Sequence, residues 1–332
     1  MTDIATIAAE VPWPDHEAEQ AAREHAGNLG ELDGLAEWLA GAQGSYPPAD
    51  PERVRALVFA ADHGIAAADV STAPPDATPG WVADVSGGAT GLNVLAELAG
   101  ATVRVVDAGV GQPSGRIDRE DALSADEVEQ AMQAGIDVAD DEIDGGTDLI
   151  VVGDLGVGAT TIAAVLVSVI TNTEPVKVVG RGGGDGIDDE TWMRKTTAVR
   201  DARLRAWDVR AAPVDLLATA GGADIAAMVG FLIRAAARRT PVLLDGVVAT
   251  SAALVVQELQ PRCVRWWRAG QRTSEPAQAV ALRRLGLEPI LDLGVQAGDG
   301  SGALLAVPIL RAAARTSGSR AKNSSEEPAG RD

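Results

Sequence analysis

DLIVVGDLGVGATTIAAVL, residues 148–166, holds the junction that decides how this chain folds. The run Leu149–Val152 is apolar and mostly β-branched, which suits a strand buried on both faces, and the Gly-Asp that follows suits the turn that ends it. From Thr160 onward the apolar residues continue as a helix. The unit is therefore strand, tight turn, helix. Free amides at the helix start, the Thr160 and Thr161 hydroxyls and the positive helix end converge on one point, which makes a phosphate cradle. A plain turn with threonine caps has the same pattern. The stretch is not a Walker A loop, because no Gly-Lys-Ser/Thr ends it, and its glycines are not spaced as in the dinucleotide fingerprint.

The pattern recurs in both directions from there. VRALVFA precedes ADHG, ATVRVV precedes DAGVG, VKVV precedes GRGGGDG, PVLL precedes DGVVATSAA, and EPILDLGV precedes GDGSGALL at 298–305. Strands that alternate with helices imply parallel pairing through right-handed crossovers, hence an α/β fold with a doubly wound, mainly parallel, Rossmann-like sheet. Ligands of such sheets bind beyond the carboxyl ends of the strands, and that is where the glycines and aspartates collect. GDGSGALL is then one wall of the crevice. Residues 1–50 read as helices of a small domain, closed by GSYPPADPE; residues 51–314 form the α/β domain, whose C-terminal helix packs with the small one. Residues 315–332, ending TSGSRAKNSSEEPAGRD, carry too few apolar side chains to pack and read as a disordered tail.

Composition sets bounds on function. The 332 residues are 46% hydrophobic, enough for a sizeable core, and no apolar run reaches the roughly 18–20 residues of a membrane span. The N-terminus lacks the basic and apolar regions of a signal peptide, so a cytoplasmic protein with no membrane partner is expected. One cysteine, Cys263, excludes an internal disulfide framework. The formal charge is 28 − 48 = −20, which argues against nucleic-acid binding through phosphate neutralisation. Much of the acid lies in Asp118–Asp148, twelve acids against the single base Arg119. There Ser124 and Glu127 form a capping box, and Val128, Met132, Ile136, Ala139 and Ile143 recur at helical spacing. A helix with a solvated acidic face is expected.

Other candidates carry less information. In VVGRGGGDGIDDETWMRK, residues 178–195, Arg181 and Lys195 flank a second glycine loop; a lysine aimed at a phosphate would supply a point charge, and a solvated surface loop is the alternative. His63, at a strand end in ADHG, reads first as a structural histidine bonded to backbone and second as a proton carrier. His16 and His25 fall in the helical N-terminus, and three scattered histidines do not make a metal site. Trp266 and Trp267 read as core or interface. Ser301 in GDGSG sits one position late for the GxSxG elbow of a serine hydrolase.

The ordered set of loops resembles the nicotinate-nucleotide:dimethylbenzimidazole phosphoribosyltransferases of cobalamin nucleotide-loop assembly. The matching stretches are ADHG, DVSTAPPDAT, GGATGLNVLAELAGATVRVVD, GDLGVGATT, VGRGGG, GGADIAAM, PVLLDG, RTSEPAQ and AGDGSGA, spread over residues 29–314. The resemblance implies transfer of the 5-phosphoribosyl group of nicotinate mononucleotide to a benzimidazole nitrogen, with release of nicotinate, and no cofactor or metal. Nicotinate leaves from a cationic pyridinium, so no magnesium-bound pyrophosphate is needed, in keeping with the single acid Asp245 before Gly246. Asp299 aligns with the family's glutamate base. Gly156, Gly158, Thr160 and Gly182 would line the phosphate with Lys195 as its cation; Asp154 would lie near the ribose, and Ser71 and Trp81 near the acceptor ring. A homodimer is implied as well.

The departures from the family pattern cluster at the site. Aspartate replaces glutamate at 299, Gln271 and Gln278 stand where histidines are usual, Gln296 where arginine is usual, Gly80 and Trp81 where Gln and Met are, and Ala159 where Asn is. A carboxylate set back by roughly 1 Å can cost about a hundredfold in rate. Three readings stay open: a member with a retuned site, a transferase for another azole, purine or phenol acceptor, and a catalytically weak nucleotide-binding subunit paired with an active paralogue.

Overall fold

The computed structural model describes residues 4–182 and 186–326, so the middle of the second glycine loop and the end of the expected tail lie outside the described residues. Strands β1 (Val54–Ala61), β2 (Ala101–Gly109), β3 (Leu149–Leu155), β4 (Val242–Leu244), β5 (Trp267–Gln271) and β6 (Pro289–Leu291) form one sheet in the order β2-β1-β3-β4-β5-β6. Every neighbouring pair is parallel. Helices α1 (Ile4–Glu10), α2 (His16–Glu24) and α3 (Glu31–Gln43) precede the sheet. Between strands run α4 (Thr78–Ser86), α5 (Gly91–Leu98), α6 (Ala125–Asp144), α7 (Ala159–Ile170), α8 (Asp189–Ala206), α9 (Pro213–Ala220), α10 (Ala223–Ala237), α11 (Gly246–Leu259) and α12 (Pro276–Leu285). Helices α13 (Ser301–Leu304) and α14 (Val307–Glu326) close the chain.

The two-residue period of a strand sorts the core into two layers. Leu57 and Phe59 of β1, with Ile150 and Val152 of β3, pack against α6, α7, α10 and α11. Ala56 and Val58, with Leu149 and Val151, face α3, α5 and α14. The chain-end helices join these same layers: Ile7 and Val11 enter the first, and Leu35, Trp38 and Leu39 the second. Because β2 and β3 lie on opposite sides of β1, the topological switch point falls between the carboxyl ends of β1 and β3.

The α/β class and the parallel sheet agree with the sequence reading, and the Ser124–Glu127 capping box forms as expected. VKVV is not a strand. Pro175 opens a short 3₁₀ turn over Pro175–Lys177, and Val178 and Val179 are buried without entering the sheet. Its place among the six strands is taken by WRAGQ, β5, whose Arg, Gly and Gln hide a strand that its neighbours β4 and β6 pair on both sides. Helix continues past residue 315 to Glu326, because Arg315 pairs with Asp50 and Arg320 with Asp33, which docks the last turns beside α3. The acidic face of α6 is partly paired rather than solvated. Glu142 is buried and accepts from Arg55 of β1 at 2.7 Å and Arg104 of β2 at 2.9 Å, and Asp140 takes Arg234 and Arg238. A buried carboxylate needs such partners to offset its lost hydration. Trp266 and Trp267 are core, and Trp266 donates its indole N–H to the Pro12 carbonyl.

Candidate active site

A cleft of about 390 Å³ opens at the carboxyl ends of the strands. Its walls are the end of β3 with the turn into α7 (Asp154, Leu155, Gly156, Thr160), the start of α11 (Gly246, Val247), the loop after β5 (Thr273, Glu275), the loop after β6 (Gln296–Asp299), and α4 with its following turn (Trp81, Asp84, Val85, Thr90). Each wall follows a different strand, so the sheet alone brings these distant residues together.

Asp245, at the end of β4, fixes the wall that carries Asp299. One of its oxygens accepts the Gly300 amide at 2.8 Å and the Gly302 amide at 3.1 Å; the other accepts Gln271 Nε2 at 2.7 Å. Gln271 Nε2 also donates to the Ala297 carbonyl, and the Asp154 amide donates to the Gly298 carbonyl at 2.9 Å. Gly153 permits this contact: a Cβ there would lie 2.3 Å from the carbonyl carbon of Asp299. Asp299 spends one carboxylate oxygen on the Ser301 amide, 3.0 Å away, and lines the cleft. Gln278 accepts from the Thr273 amide and hydroxyl and donates to the Gln271 carbonyl, so Gln271 and Gln278 both act as braces of one wall.

Opposite elements build the wall read from sequence as an anion cradle. Gly158 caps α7 in the left-handed conformation, and Thr160 reaches the cleft just inside the helix. Lys195 of α8 is 2% exposed and donates Nζ–H to Thr160 Oγ1 at 2.9 Å. Burial pulls its ammonium below the usual lysine range, against the opposing pull of Glu275. Behind Gly156, His63 Nε2 lies 3.3 Å from Asp224 Oδ2 with both side chains fully buried, and neither ring nitrogen makes a hydrogen bond among the described residues, so the expected bond to the backbone does not form.

Carboxylates crowd the floor of the cleft. Burial, with Asp224, Asp299 and Asp245 nearby, pushes the Asp154 carboxyl well above the ordinary range. Burial also pushes Asp245 up to about 7, the Gln271 hydrogen bond opposing and the Asp299 charge assisting. A folded-state pKa above the unfolded one means that the folded chain holds the proton more tightly. The stability from this group is therefore full below about 4, the unfolded aspartate value, and is lost as pH rises through about 7. The thermal midpoint of the parent, taken relative to Asp245→Asn, is expected to fall between about pH 4 and pH 8. A flat difference would show that Asp245 does not titrate there.

Of the residues singled out from sequence, Asp154, Gly156, Thr160, Trp81 and Asp299 share the cleft. Gly158 and Lys195 stand just behind Thr160, and Gly182 lines an adjoining hollow with Val179, Trp192 and Gln296. Ser71 is not among the lining residues; its hydroxyl oxygen accepts the Ala73 amide at 3.1 Å in the loop before α4. Sequence reasoning missed Glu275, Thr90 and Asp84. Glu275 lay inside the quoted RTSEPAQ stretch, but nothing local marked it as facing the glycine loop nearly a hundred residues earlier.

Fold and site together define a class, an α/β protein with a glycine turn, a helix start and carboxylates gathered in one cleft at the carboxyl ends of its strands. The sequence model of the DBI_PRT family, described as phosphoribosyltransferase, matches residues 11–325, and the chain belongs to that family. It is 49% identical over 334 residues to the nicotinate-nucleotide--dimethylbenzimidazole phosphoribosyltransferase of Mycobacterium ulcerans (strain Agy99), covering 94% of this chain and 92% of that one. The protein of the same name from Mycobacterium tuberculosis (strain ATCC 25618 / H37Rv) is 49% identical, covering 92% of this chain and 90% of that one. The crystal structure of CobT from Thermus thermophilus matches with a TM-score of 0.85 at 33% identity, covering 90% of this chain and 95% of that one.

Proposed function

We propose that the protein transfers the 5-phosphoribosyl group of nicotinate mononucleotide to 5,6-dimethylbenzimidazole or a related base in cobalamin biosynthesis. One observation carries this reading for the site: a single cleft joins Thr160 at the start of α7, backed by Lys195, to the loop that presents Asp299. Gly156, Gly158, Thr160 and Gly182 hold the phosphate with Lys195 as the cation, and Asp154 lies toward the ribose. Trp81 covers the acceptor ring; Ser71, expected beside it, lies outside the cleft lining in the loop before α4. The C1′–nitrogen bond to nicotinate breaks with its electron pair leaving on the pyridine nitrogen. A benzimidazole nitrogen forms the new bond to C1′, giving the α-ribosyl nucleotide. Its second nitrogen passes its proton to the Asp299 carboxylate, which removes the cationic charge that would otherwise build up.

Homodimeric assembly and a cytoplasmic location belong to the same proposal, supported by the family resemblance. Among the described residues no helix is long and apolar enough to cross a membrane. The test is purified protein with nicotinate mononucleotide and 5,6-dimethylbenzimidazole, following nicotinate by chromatography. Turnover supports the reading. Turnover only with other azole, purine or phenol acceptors would move the acceptor assignment, and binding without turnover would point to a nucleotide-binding subunit.

A further inference from the structure

Glu275 has no task in the reaction above, yet it stands at the heart of the cradle. It precedes α12, is 5% exposed and belongs to the cleft wall. Its Oε1 accepts the Gly182 amide at 2.9 Å, and its Oε2 is buried with no hydrogen-bond partner among the described residues. The backbone is shaped round this carboxylate: a Cβ on Gly180 would come within 2.1 Å of Oε2. Its charge acts on the ammonium of Lys195, which otherwise donates to Thr160. The carboxylate thus occupies one amide and balances one cation that the phosphate is to use.

A buried ammonium is costly without negative charge nearby, and Glu275, whose charge reaches Lys195 without a direct ion pair, supplies it while the cradle is empty. Carboxylate and phosphate oxygens are acceptors of the same kind, and two anions cannot share one N–H and one cation without repulsion. We propose that Glu275 is the resident anion of the phosphate cradle: it holds Gly182 and neutralises Lys195 in the empty enzyme, and the substrate phosphate displaces it. The inference rests on the phosphate reading given above. It also assigns Glu275 a part in selectivity, because a nucleoside without a phosphate has no charge with which to displace the carboxylate.

Isothermal titration of the parent, Glu275→Gln and Lys195→Met with inorganic phosphate and with nicotinate mononucleotide tests it. Glutamine keeps an acceptor for the Gly182 amide but carries no charge. Its Kd for both ligands is expected to fall about tenfold, equal to about 1.4 kcal/mol. Glu275→Ala is expected to move in the same direction, which keeps the test intact if the amide repacks. The rise in thermal midpoint on adding phosphate is expected to be larger in Glu275→Gln than in the parent, a change that a bracing role alone does not produce. Binding by Glu275→Gln that is unchanged or weaker, while Lys195→Met still loses affinity, would overturn the proposal and make Glu275 a brace or a ligand to the nucleotide. Parent-like binding by Lys195→Met would instead remove the phosphate reading, and this proposal with it.

Discussion

Asp299→Ala is expected to lower kcat for nicotinate release by about 10²–10⁴-fold, the usual contribution of a positioned general base. The loop around it should stay in place, because the amides of Gly300 and Gly302 are held by Asp245 and the Gly298 carbonyl by the Asp154 amide. Within that loop the side chain of Asp299 holds only the Ser301 amide. The loss should therefore appear in kcat, with nicotinate mononucleotide still binding and the thermal midpoint little changed. Asp299→Glu adds a methylene and advances the carboxylate by roughly 1 Å, and is expected to retain or raise the rate. An alanine variant as active as the parent would end the assignment of Asp299 as the base.

Lys195→Met is expected to act on binding. Hydrogen bonds to charged groups contribute about 1.5–3 kcal/mol, so KM for nicotinate mononucleotide should rise about 10- to 150-fold while kcat changes far less. Methionine fills much the same volume and removes a buried ammonium, so the fold should tolerate it. The parent should also show a KM that rises with pH earlier than an ordinary lysine predicts. Burial lowers the pKa of Lys195, and the cation is lost once pH exceeds that lowered value. Steady-state KM at several pH values for parent and variant checks both points. A KM within about twofold of the parent would move the phosphate away from this lysine.

The architecture was legible wherever local chemistry and tertiary role agreed. β1 from Ala56 onward and β3 as far as Val152 are apolar runs because both faces of a central parallel strand are covered, and the glycines and aspartates that follow lie at the rim as the alternation of elements implied. Agreement failed at the short elements. VKVV has the composition of a strand, but Pro175 and the geometry of the turn take it out of the sheet, while WRAGQ enters because β4 and β6 offer hydrogen bonds on either side. A strand of this length is decided by its neighbours more than by its own residues.

The site divides along the same line. By itself, the sequence determined which chemical groups each loop carries, from the α7 cradle to the aspartate after Gly298, because glycine turns and helix caps act within a few residues. Only the tertiary structure decided which of those loops meet. It turned Asp245 and the two glutamines into braces, left Ser71 off the wall, and set Glu275 on the Gly182 amide within reach of the Lys195 charge. Those relations join residues far apart in the chain, and burial and hydrogen-bond satisfaction, which act across space, select them.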